Sequence, residues 1–108
     1  MYNAEITGWG KCMPPARLSN HDLSTFLDTS DEWISSRTGI KERCISHVEL
    51  ADLAANAGLQ ALAAADLKAE QLDAIILCTC TPGTTVPSTA SRVQQLLKAK
   101  QAAVFDMN

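Results

Sequence analysis

Apolar residues recur along this chain with two alternating periods, and the alternation predicts its architecture. From Ser46 a helical period takes over: Leu50, Leu53, Ala54, Ala57 and Ala61 fall on one face, while Glu49, Asp52, Asn56 and Gln60 fall on the other. Ser46 and Glu49 form a capping-box pattern ahead of this helix, which runs to about Ala65. Its small residues, Ala54, Ala57, Gly58 and Ala61, predict that another backbone approaches it closely and that it is pressed between layers. The stretch Ala74 to Thr81 is almost continuously apolar, as in a central strand covered on both faces. Pro87 then precedes a second helix over Ser88 to Lys98, with Ala90, Val93 and Leu97 facing inward, and Ala102 to Phe105 reads as another buried strand.

The first part of the chain is more polar and more heavily punctuated. A strand is expected at about Ala4 to Gly8, followed by a polar stretch containing Pro14 and Pro15, and then a short helix over Asp22 to Leu27 capped by Asn20. The run from Asp28 to Ile40 describes a deliberately terminated helix: Thr29 serves as N-cap with Glu32 three residues on, and Gly39 takes the left-handed stop. Residues Ile40 to Ile45 follow as an extended segment. Strands alternating with helices predict an α/β fold with a parallel or mixed sheet.

Composition narrows the functional classes. The 108 residues allow one domain, 46% of them hydrophobic and only 19% charged, so a core is affordable and an apolar partner surface is plausible. A net charge of −3 with no Lys/Arg cluster argues against nucleic acid and against an acidic membrane surface. No stretch reaches the roughly 20 apolar residues of a membrane helix, and the opening Met-Tyr-Asn-Ala-Glu lacks the basic and apolar regions of a signal peptide, so a cytoplasmic location is expected. Cys12, Cys44, Cys78 and Cys80 are read as reduced core residues: Cys78 and Cys80 lie in an apolar run, and C-x-C is not the usual zinc spacing. No metal is expected. His21 and His47 sit in polar settings that suit solvated or capping roles.

One pair carries candidate binding chemistry. Trp33 and Arg37 are spaced i, i+4, so an indole plane and a guanidinium share one helix face and suit a flat, anionic ligand such as an adenine nucleotide. The competing assignment is a half-buried Trp33 with Arg37 laid over it for packing alone.

The block Asp28-Thr-Ser-Asp-Glu-Trp-Ile-Ser-Ser-Arg-Thr-Gly-Ile40, continued by Lys41-Glu42-Arg43, resembles the β-ketoacyl-acyl-carrier-protein synthase III family. Every fixed position of that family's Asp-Thr-Ser-Asp-Glu-Trp-Ile-x-x-Arg-Thr-Gly-Ile-x-x-Arg signature is matched. Ile6-Thr7-Gly8, Pro14-Pro15, Thr79-Cys80-Thr81 with Pro87-Ser88, and Phe105-Asp106 extend the resemblance over essentially the whole chain. It implies part of the first half of a thiolase-type αβαβα sandwich that acts as a homodimer. Residues 1–108 would be its amino-terminal portion, ending just before the expected nucleophile.

The implied activity is acyl transfer from acyl-coenzyme A to a cysteine, then decarboxylative condensation with malonyl-acyl carrier protein. Acyl-coenzyme A is then a substrate, and no separate cofactor is called for. The family's catalytic Cys, His and Asn are not in this chain, so the 108 residues alone are expected to be inactive. By the same resemblance Trp33 stacks the adenine of coenzyme A, Arg37 lies near its phosphates and Thr29 lies close to the adenine; Thr29 is equally suited to capping. Val86 occupies a position where the bacterial fatty-acid enzymes often carry an aromatic that closes the partner's acyl pocket. The smaller Val leaves room for a longer or bulkier acyl group, or is simply a packing residue. Two alternatives stand beside the condensing enzyme: a non-catalytic coenzyme A-binding or docking module completed by another chain, and an unrelated α/β scaffold whose Trp33 is core.

Overall fold

The computed structural model describes residues 3–108 and divides the chain into two compact units, residues Met13–His47 and residues Met1–Cys12 with Val48–Asn108.

The smaller unit is built on an antiparallel pair, β1 (Ala16–Ser19) and β2 (Glu42–Ile45), with Ala16 opposite Ile45 and Ser19 opposite Glu42. Helix α1 (Asn20–Ser24) follows β1 directly, and α2 (Asp31–Thr38) lies between α1 and β2. Ser19 caps α1 in a reciprocal box: its Oγ accepts from the Asp22 N–H at 3.1 Å, and Asp22 Oδ2 accepts from the Ser19 N–H at 2.9 Å. The sequence had pointed to Asn20 as the cap of a helix over Asp22 to Leu27. Asn20 is instead inside the helix and 1% exposed, because Ser19 already satisfies the orphan N–H and frees the Asn20 amide for tertiary bonds. Ser30, rather than Thr29, caps α2, accepting from the Trp33 N–H at 3.1 Å. Gly39, at φ 71°, ends the helix as expected, its N–H donating to Ser35 O at 2.9 Å.

The larger unit is a βαβ crossover with an added helix. Helix α3 (Leu50–Ala65) leads through a 3-10 turn (Ala69–Gln71) to β3 (Ala74–Cys78), then α4 (Thr89–Leu97) and β4 (Ala103–Met107). β3 and β4 are parallel, with Ala74 opposite Ala103 and Cys78 opposite Met107. The core is a cluster of small residues and two branched ones: Ala51, Ala55, Val93, Leu97, Ala99 and Ala102, with Leu72, Ile75 and Leu77 packed against it. Ala90, Val93 and Leu97 are buried on α4, as their spacing required.

Several expectations are corrected here. Helix α3 ends where predicted but starts at Leu50, three residues after the start that a Ser46 cap would set, and it buries Ala51, Ala55 and Leu62, so its inner face is turned from the predicted one, whose Leu53, Ala54, Ala57 and Ala61 are only half-buried. An alanine-rich helix has little side-chain volume to bias the choice of face, and the fit against α4 decides it. Glu49 takes the N-cap position without a side-chain cap bond, in place of the third position of a capping box. Residues Ala4 to Gly8 form no strand, since among the described residues no ladder partner adjoins them. They run along α3 so closely that a Cβ at Gly8 or Gly10 would overlap the carbonyl oxygens of Ala61 and Ala57. The close approach predicted from the small residues of α3 is made by this segment and by Leu97, which reaches Gly58.

Strand β3 stops at Cys78 rather than Thr81 and pairs only with β4 among the described residues. Only one of its faces is covered: Ile75 and Leu77 are half-buried, while Ile76, Phe105 and Met107 are 44–53% exposed on the other. Cys78 and Cys80 are therefore exposed, and Cys12 and Cys44 half-buried; none of the four belongs to the core, and all are unpaired. His21 and His47 are both exposed, in line with their polar surroundings. No helix among the described residues is long and apolar enough to cross a membrane.

Candidate functional site

Helix α2 has two chemically distinct sides. At 100° per residue, Asp31, Ile34, Ser35 and Thr38 share one side, and Trp33 and Arg37 share the opposite one. Ile34 is the one buried residue of this helix, at 9% exposure, whereas Trp33 is 55% exposed. The Arg37 guanidinium carbon lies 4.8 Å from the centroid of the Trp33 ring, within cation–π range. Trp33 is thus outside the core of its unit: the indole is more than half exposed, with Arg37 laid over one face.

Thr29 adjoins this pair. Asp28, Thr29, Ser30 and Trp33 line a shallow surface depression. Because Ser30 supplies the cap oxygen, the Thr29 hydroxyl is not consumed as a cap, and its backbone N–H donates to Leu27 O at 2.9 Å. The inward side of α2 is tied down by polar bonds. Asn20 Nδ2 donates to Asp31 Oδ1 at 2.7 Å, to Ile40 O at 2.7 Å and, more weakly, to Ser35 Oγ at 3.3 Å. Asn20 Oδ1 accepts from Arg43 at 2.8 Å, and Arg43 also donates to Leu18 O at 3.1 Å. Hydrogen bonds from Asn20 and Ser35, with the Lys41 ammonium 3.7 Å away, hold the Asp31 carboxyl below its usual range.

Val86 lies in the larger unit, on the loop between β3 and α4, and is 85% exposed. That loop ends at a cis Val86–Pro87 bond and at Ser88, the cap of α4. The amino end of α4 is anchored from β4, where Asp106 accepts from the Thr89 and Ala90 N–H groups at 2.7 Å each. Sequence reasoning gave no role to Asp106 and took Asn20 for a simple cap. A carboxylate closing a parallel strand–helix–strand crossover is the signal that points to Asp106; nothing local to Asn20 marks it. Among the described residues no three His, Cys, Asp or Glu side chains converge as a metal site would require.

No protein-family model matches the chain. The β-ketoacyl-acyl-carrier-protein synthase III 2 of Vibrio cholerae is 63% identical over 105 residues, which cover 97% of this chain and 29% of the relative. The chain belongs to the β-ketoacyl-acyl-carrier-protein synthase III family. The structure agrees: the 3-oxoacyl-acyl-carrier-protein synthase III of Aquifex aeolicus superposes with a TM-score of 0.86 at 48% identity, over 95% of this chain and 34% of that one. The priming β-ketosynthase of the R1128 polyketide pathway gives 0.85 at 28% identity, over 95% and 31%. The chain thus spans about a third of the length of the synthase III proteins it matches and corresponds to their amino-terminal part. The fold is the thiolase-type α/β fold of synthase III, as the sequence resemblance implied.

Proposed function

We propose that this chain contributes the adenine-binding platform of a synthase III-type enzyme, which condenses an acyl-coenzyme A primer with malonyl-acyl carrier protein. The observation that carries this is the exposed Trp33 with Arg37 stacked 4.8 Å from its ring centroid. The open ring face offers an adenine a stacking surface, and the guanidinium places positive charge where phosphates would lie. Thr29, in the adjoining depression, completes the contact to the base. Base stacking of this kind contributes on the order of 1–3 kcal/mol.

In this proposal the intact enzyme is a cytoplasmic homodimer using acyl-coenzyme A and acyl carrier protein as substrates, with no further cofactor. The 108 residues alone do not turn over, because they supply neither the Cys nucleophile nor the His and Asn partners that resemblance requires. Val86, exposed and small, lines the acyl pocket of the dimer partner and leaves it room for longer primers.

The test is a chimera in which this sequence replaces the matching part of the Vibrio cholerae relative, assayed for condensation. Trp33→Ala should raise KM for acyl-coenzyme A about tenfold, equivalent to ~1.4 kcal/mol, with kcat largely kept. An unchanged KM would remove the platform. Val86→Phe should shift preference from octanoyl- toward acetyl-coenzyme A, and an unaltered preference would remove Val86 from the pocket.

A further inference from the structure

Helix α2 cannot set its own orientation by apolar burial. It has eight residues, a length at which an isolated helix is marginal, and it buries a single apolar side chain, Ile34. One buried residue anchors a helix but leaves its rotation about its own axis poorly defined. Four polar partners supply what is missing, and all converge on one side chain. Asn20, 1% exposed, bonds Asp31 and Ser35 on the inward side of α2, Ile40 just past its carboxyl end, and Arg43 on β2. Its backbone N–H adds a bond to Lys41 O at 3.1 Å.

We infer that Asn20 is the positioning residue of the Trp33–Arg37 platform: its buried amide fixes the rotation of α2 through Asp31, so that Trp33 and Arg37 face solvent on the opposite side. The inference rests on the ligand reading above only for its purpose. The device itself is a property of this unit. It also divides the signature block by role. Asp31, Gly39 and Arg43 hold the backbone, Trp33 and Arg37 are presented by it, and Asn20, outside the block, joins the holding residues together. A buried amide suits this task because each of its bonds has a direction, and an unpaired donor or acceptor left inside would be costly.

The experiment uses the full 108-residue chain with Trp9→Phe, so that Trp33 is the one tryptophan reporting. The acrylamide quenching constant of Trp33 reads which way α2 faces, whereas the Trp33–Arg37 contact, made within one helix, does not depend on that rotation. The constant should be kept in Asp31→Asn, which retains the Oδ1 acceptor, and should change about twofold or more in Asn20→Ala and Asp31→Ala. The far-UV signal and thermal melt of the larger unit should stay unchanged. Asp31→Ala is included because it spares the Asn20 bonds to Ile40 and Arg43, so the test survives if Asn20→Ala unfolds the smaller unit. A quenching constant equal to the parent's in both Asn20→Ala and Asp31→Ala overturns the inference. Coenzyme A binding is read separately: its failure with the quenching pattern intact would sink the ligand and keep the device, and the reverse would sink the device alone.

Discussion

Arg37 places its guanidinium carbon 4.8 Å from the centroid of the Trp33 ring, one helical turn away on an exposed face of α2. A planar, delocalised cation can lie flat over the indole and still donate at its edge; an ammonium cannot do both. Arg37→Lys should therefore behave almost as a deletion. Isothermal titration of the chimeric enzyme with coenzyme A should show affinity reduced about fivefold for Lys, close to the loss for Gln, which corresponds to ~1 kcal/mol. Full retention of affinity by Lys would mean that charge alone matters there.

Asp106 anchors the amino end of α4 through two N–H groups, at Thr89 and Ala90, from seventeen and sixteen residues away along the chain. Both bonds are charge-assisted, and the carboxylate also faces the positive end of the helix dipole. Asp106→Ala should destabilise the larger unit by about 2 kcal/mol, and Asp106→Asn, which keeps one acceptor, by about half of that. Urea midpoints followed by far-UV dichroism give the comparison. A midpoint unmoved by Asp106→Ala would show that the cap is energetically idle.

At Gly10 the amino-terminal segment lies against the backbone of α3, and an added Cβ would overlap Ala57 O. Gly10→Ala should push residues 8–12 off the helix, break the bond from Lys11 N–H to Gln60 Oε1, and cost about 1–3 kcal/mol. Trypsin cleavage after Lys11 should accelerate several-fold while cleavage after Arg92, inside α4, does not. Equal acceleration at both sites would indicate general loosening instead.

Acid should affect the smaller unit through Asp31 and Asp22. Both carboxyls are held below their usual range, Asp31 first by Asn20 and then Ser35, Asp22 by the Ser19 hydroxyl and N–H. A depressed native pKa means that the unfolded state binds protons first, so this stabilisation is complete above about pH 4 and fades as pH falls through the native values. In the Trp9→Phe chain, urea midpoints read by Trp33 should fall as the pH is lowered below about 4. Asp31→Asn, which cannot titrate, should flatten that fall, and an identical slope would exclude Asp31 as its source.

How much of this was legible beforehand follows from the range of each interaction. The sequence by itself determined the order of helices and strands from α3 to β4, the carboxyl end of α3, the extent of α4, the Gly39 stop and the pairing of Trp33 with Arg37, but it placed the first strand at Ala4 to Gly8 and missed β1. Each feature it determined depends on residues within about one helical turn or one strand, where periodicity and backbone preference act directly. The signature block was distinctive enough to point to the family, which the relatives then established. Tertiary structure alone decided the rest. Whether Ser30 or Thr29 caps α2, which face α3 buries, and that Ala4 to Gly8 lies on a helix without forming a strand are choices between locally similar options, settled by packing partners distant in sequence. Asn20 shows this most clearly: as a residue it suits a cap, and only the convergence of Asp31, Ile40 and Arg43 from later in the chain makes it the buried centre of its unit.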